Sequence, residues 1–189
     1  RLQSWRAWVS FSAKQEAIRA QLQGTDLGDT FLGYARLKTA GHNPLGIELD
    51  EEANCVWLFH HVSAKTADAA AAAGDLSAEG ANGRKSGRTY GWGVYLAESC
   101  AATDMLAAES VDGMRCLMLC RVALGNVFYD DAILPDVARL VSECTSGRYN
   151  SVLGDREKHW PNSAYREFVV YDMDQVYPEF LLWYKRVYR

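Results

Sequence analysis

Tyr165-Arg166-Glu167-Phe168-Val169-Val170-Tyr171-Asp172 sets one carboxylate, Glu167, at the head of an apolar run, and Gln175-Val176-Tyr177-Pro178 follows shortly after. Valine, phenylalanine and tyrosine in succession predict a buried β-strand. Both faces of such a strand are usually covered, so a charge within it needs a reason. Two readings stay open on pattern alone. Glu167 either starts the strand and faces solvent, or it is held inward for chemistry.

The rest of the chain narrows the choice. Its 189 residues are enough for one compact domain spanning 1–189 with a substantial core. The chain starts at Arg1, which reads as a domain excised from a longer protein. Net charge is −4 and no basic run appears, which argues against a protein whose main work is gripping nucleic-acid backbone. No apolar run is long enough to span a bilayer and no signal peptide opens the chain, so an intracellular place, nuclear or cytoplasmic, is expected. The five cysteines, Cys55, Cys100, Cys116, Cys120 and Cys144, form no C-x-x-C pair. They read as thiols in a reducing compartment, with no metal site.

Along the chain, the spacing of Trp5, Trp8, Phe11, Ile18 and Leu22 predicts a helix over 5–23 that stops at Gly24. Residues 25–54 are turn-rich. Cys55 to His61 reads as a strand, Ser63 to Gly74 as an alanine-rich helix capped by Ser63, and Ser77 to Tyr90 as a polar loop. Arg84, Lys85 and Arg88 in that loop are either solvated or set over an anionic ligand. A short strand at 91–97, a helix at 98–109 and a long β segment at 115–128, bent at Gly125-Asn126, come next. Residues 130–160 read as a long polar connection with one short helix near 137–143, the kind of segment that is usually functional or mobile. Strands at 165–171 and 180–188 close the chain. This order does not alternate regularly, so the expected class is α+β with mostly antiparallel strands and flanking helices.

Several chemistries are excluded by pattern. There is no G-x-S-x-G elbow, no H-E-x-x-H, no Walker loop and no G-x-G-x-x-G. Three segments remain: Leu58-Phe59-His60-His61-Val62-Ser63, Tyr90-Gly91-Trp92-Gly93-Val94-Tyr95-Leu96-Ala97-Glu98-Ser99, and the segment around Glu167. Together and in this order they resemble the catalytic domain of the poly(ADP-ribose) polymerase family, diphtheria-toxin-like ADP-ribosyltransferases with a His-Tyr-Glu triad. Further blocks extend the likeness: Arg1-Leu2-Gln3 with Trp8, Arg121 to Asn126, Asn150 to Gly154 and Gln175 to Phe180.

The resemblance implies an ADP-ribosyltransferase fold with a split, mixed β-core. It implies NAD+ as substrate and a protein acceptor, the protein itself included, with mono- more expected than poly-transfer and nucleic acid an alternative acceptor. Glu167, Tyr95 and His60 would be the catalytic set. His60, His61, Ser63, Tyr90, Gly91, Tyr95, Ala97, Thr103 and Leu106 would contact the dinucleotide. The residue types suit that chemistry. Cleaving the nicotinamide–ribose bond builds an oxocarbenium-like charge that a carboxylate stabilises, an aromatic ring stacks on nicotinamide, and a histidine hydrogen-bonds a ribose hydroxyl.

Three positions depart from the family pattern: His61 stands where the family has glycine, Val62 where it has a hydroxyl, and Leu106 where many members have a second tyrosine. A second register, with His61-Val62-Ser63 as the histidine motif, breaks the match of Leu58-Phe59-His60, and His60 is preferred. A catalytically weak or inert module that keeps the fold is the alternative function. The loop 77–90 is expected beside the donor site and residues 130–160 beside the acceptor site.

Overall fold

The computed structural model describes residues 1–24, 45–64, 67–69, 76 and 89–187. Helix α1 (Trp5–Leu22) begins at Ser4, whose hydroxyl accepts the Ala7 N–H at 3.4 Å. It buries Phe11, Ile18 and Leu22 against Ala53, Cys55, Ala123 and Tyr177. Trp8 adds an edge-to-face contact with Tyr177 at 5.1 Å.

Among the described residues, seven strands make two sheets. β1 (Cys55–His61), β3 (Arg115–Ala123) and β7 (Val176–Tyr184) form one, with β3 central and both pairs antiparallel. β2 (Val94–Leu96), β6 (Arg166–Val170), β5 (Ser151–Asp155) and β4 (Val127–Asp130) form the other in that order. Only the β4–β5 pair is parallel among these. The described residues also hold two shorter helices with both ends in view, α2 (Cys100–Asp104) and α3 (Val137–Thr145). The sheets meet where Phe59 and Ala97 exchange both backbone hydrogen bonds, at 2.8 and 2.9 Å. The main core lies between them, with Leu58, Met118, Cys120, Val122, Phe168 and Val170 buried together. The class is mixed α+β with two sheets, as the sequence pattern predicts.

Four boundaries differ from the sequence reading, each for a packing reason. The β segment at 115–128 is two strands in different sheets, and the chain crosses between them at Gly125, whose φ is +56°. The last strand starts earlier, at Val176, and includes Pro178. β7 is an edge strand, where proline is tolerated, and its register slips so that Cys120 pairs with Pro178 and Leu119 with Phe180. The helix expected at 98–109 ends at Asp104, because the N–H groups of Leu106 and Ala107 turn back three residues to Thr103 and Asp104. The connection 130–160 holds a strand, β5. Most of the alanine-rich helix, the loop 77–88 with its three cations, and residues 25–44 lie outside the described residues.

The thiols of Cys55, Cys116, Cys120 and Cys144 are raised by burial, Cys55 and Cys144 to about 12 and Cys116 to about 11. Cys100 alone is exposed. Among the described residues no helix is long and apolar enough to cross a membrane.

Candidate active site

A cavity of about 520 Å3 opens where β1, β2, α2 and β6 converge. Phe59 and His61 of β1 and Tyr95, Leu96 and Ala97 of β2 form one wall, and Thr103 and Leu106 of the α2 region form the second. Arg156, Trp160, Tyr165 and Glu167 form the third.

Strand register explains how Tyr95 and Glu167 come to share the cavity. Tyr95 pairs with Val169, so the two side chains project to one face. Glu167 lies two residues before Val169 and projects to that same face. The close approach of β2 to β6 needs Gly93, since a Cβ there would lie 2.7 Å from the Val170 carbonyl. On the opposite face, Glu98 is buried and pairs with Arg166 at 2.8 Å, tying the end of β2 to the start of β6.

The Tyr95 ring is held at its far end. Its hydroxyl donates to the Gly91 carbonyl at 2.9 Å and accepts the Tyr90 N–H at 3.0 Å. Glu167 does not face open solvent. Its side chain is 28% exposed and pairs with Arg156 at 3.0 Å. Thr103 is buried at the cavity wall, while Leu106 is 62% exposed at its lip. α2 is moored from below, where Asp104 receives Arg186 at 2.7 Å and the Tyr184 hydroxyl. Arg186 holds the Asp104 carboxyl below the usual carboxylate range, against a smaller opposing effect of burial.

Of the residues singled out from sequence, His61, Tyr95, Ala97, Thr103, Leu106 and Glu167 line the cavity. His60, Ser63, Tyr90 and Gly91 do not. His60 alternates to the inner side of β1, where its Nδ1–H donates to the Tyr95 carbonyl at 2.9 Å. A carbonyl only accepts, so Nδ1 carries a hydrogen in this bond. His60 therefore grips the Tyr95 strand from behind the wall. Val62 packs in the main core, where a hydroxyl would have no use. Ser63 follows it and accepts the Ala67 N–H through its carbonyl at 2.9 Å. Gly91 (φ +86°) packs against α3, because a Cβ would lie 2.9 Å from Val137. Tyr90 is wholly buried, its ring pressed over Gly154.

Arg156, Trp160 and Tyr165 were not singled out from sequence. Arg156 meets Glu167 across a loop of ten residues, a separation no strand or helix period exposes. For Arg156 and Trp160 the signal was the length of the polar connection 130–160 that holds them, and Tyr165 opens the strand segment of Glu167. Among the described residues no three His, Cys, Asp or Glu side chains gather as metal ligands.

A two-sheet α+β domain with one carboxylate and one tyrosine on paired strands, facing a cleft at the sheets' junction, is the class this geometry defines. Residues 34–186 match the model of the poly(ADP-ribose) polymerase catalytic domain, and the chain belongs to that family. No curated protein matches it.

Proposed function

We propose that the protein transfers ADP-ribose from NAD+ to an acceptor, with release of nicotinamide. The observation that carries this reading is that Glu167 and Tyr95 project from one sheet face into the same cavity in a chain of this family. The residues present suit the donor. The Tyr95 ring offers a stacking face for nicotinamide, and the Thr103 hydroxyl and the β1 backbone near His61 offer partners for its amide. Glu167 lies where it can bond a ribose hydroxyl and stabilise the positive charge that grows as the C1′–N bond breaks. Nicotinamide leaves with the bonding electrons, and an acceptor oxygen or nitrogen forms the new bond at C1′. His60 acts on the site indirectly, by holding the Tyr95 carbonyl from the inner side of β1.

Mono-transfer to a protein, itself included, is the form we favour, in a reducing compartment that suits five free thiols. One observation favours a second reading, an NAD+-binding module of low turnover. Leu106 stands exposed at the lip, where it cannot stack on a nicotinamide ring.

The test is nicotinamide release and incorporation of labelled NAD+ by wild type and Glu167→Gln. A loss of at least about 100-fold in kcat is expected for the variant. Equal incorporation by both would remove the transferase reading. Saturable NAD+ binding with no turnover in either protein would support the second.

A further inference from the structure

Asp130 of β4, Gly154 of β5 and Glu167 of β6 stand in one cross-strand row. Residues paired this way project to one face, so two carboxylates roughly 10 Å apart at their Cα atoms flank a position with no side chain. Tyr90 fills that gap. A Cβ on Gly154 would lie 2.3 Å from the Tyr90 hydroxyl oxygen. That hydroxyl is buried and has no hydrogen-bond partner among the described residues. Asp130 Oδ2 and Arg156 Nε are buried and unpartnered in the same sense, while Arg156 Nη2 donates to Glu167 at 3.0 Å. The charges of Arg156, Glu167 and Asp130 all act on Tyr90, so the four groups are neighbours. Burial raises the phenol well above its ordinary value, which keeps its proton on and makes it a donor.

Unpartnered buried polar atoms weaken a fold. Three of them gathered behind one carboxylate mark a place where sequence serves something other than stability. The charges point the same way. Arg156 alone beside Glu167 would oppose the positive charge that forms on the donor ribose. With Asp130 on the other side, the group carries one net negative charge.

We propose that Tyr90, Asp130 and Arg156 form a half-buried polar layer that aims the Glu167 carboxylate at the donor ribose. Arg156 is the positioning residue and Asp130 its counter-charge. This rests on the transferase reading above.

The experiment is steady-state nicotinamide release together with thermal melting, for wild type, Arg156→Gln, Arg156→Lys, Tyr90→Phe and Glu167→Gln. Arg156→Gln should lower kcat about 10- to 100-fold with KM for NAD+ within about threefold, and Arg156→Lys should recover part of the loss. Tyr90→Phe should lower kcat roughly tenfold while its Tm stays level or rises, because only an unpartnered hydroxyl is removed. If Arg156→Gln and Tyr90→Phe turn over like wild type while Glu167→Gln does not, the layer is refuted and the transferase reading stands. A lower Tm for Tyr90→Phe would make its hydroxyl a structural bond and refute the layer regardless of turnover. If wild type releases no more nicotinamide than Glu167→Gln, the transferase reading falls first and the layer with it.

Discussion

Two clusters of charge sit on the two sheets, one buried and one half-buried, and they are built to opposite rules. On the three-stranded sheet, Glu179 is wholly buried and receives Arg1 Nη2 at 2.8 Å and Arg121 Nη2 at 3.0 Å. Arg121 is itself covered by the rings of Trp8 and Trp57, at 5.4 and 5.5 Å. The Glu179 backbone is used as well, its carbonyl taking the Leu2 N–H at 2.7 Å. On the four-stranded sheet, Glu167 has one arginine, and the groups behind it keep unpartnered atoms. The first cluster ties the chain's start to β3 and β7 through two arginines on one carboxylate. The second is incomplete, which is what a site that must engage another molecule requires. Both are Arg–Glu pairs of similar length, so pair geometry alone does not separate a structural carboxylate from a candidate catalytic one. Occupancy of the carboxylate's own oxygens does: both Glu179 oxygens receive arginine donors, whereas Arg156 reaches Glu167 at Oε2.

The contrast can be broken most severely at Glu179. Glu179→Ala leaves Arg121 buried without its carboxylate and should cost about 3–5 kcal/mol, read by urea denaturation, while activity per folded molecule is unchanged. Equal losses of stability from Glu179→Ala and Glu167→Gln would erase the distinction. Gly154→Ala probes the second cluster sterically. Its methyl would lie 2.0 Å from Tyr90 Cζ, so the ring must leave, at about 1–3 kcal/mol, and kcat should fall with it. An alanine variant as stable and active as wild type would show that Tyr90 is not held there. The smallest effect belongs to the exposed Asp104–Arg186 pair. Asp104 has a lowered folded-state value, so its contribution is present above the ordinary aspartate value of about 3.9. It is lost as pH falls through the lower folded-state value. Melting curves should fall less steeply below about pH 4 for Asp104→Asn than for wild type. Parallel curves would mean that solvent screens the pair completely.

What could be read from sequence follows from where the physics is local. The Glu167 strand announced itself because an apolar β run carries its own signature, whereas Tyr95 was legible only through the resemblance of the Gly91-Trp92-Gly93-Val94-Tyr95 block. β5 gave no such signal. Ser151 to Asp155 is short, and its Gly154, a poor strand residue by itself, is there for the Tyr90 ring. Arg156 and Asp130 acquire meaning only from the cross-strand row, which depends on register between segments distant in sequence. Tyr90 was tied to the donor because it adjoins Gly91 and Tyr95, yet packing sets its ring over Gly154, beside the cavity and not in its lining. His60 and His61 illustrate the period of two. One step along β1 exchanges the cavity face for the inner one, and a motif match cannot say which face the first residue takes.

The central claim is that Glu167 acts chemically and Glu179 structurally, and release of nicotinamide from NAD+ by Glu167→Gln tests it most directly. The account predicts a folded variant with the melting temperature of wild type and at least about 100-fold lower kcat. Wild-type turnover by that variant would contradict it.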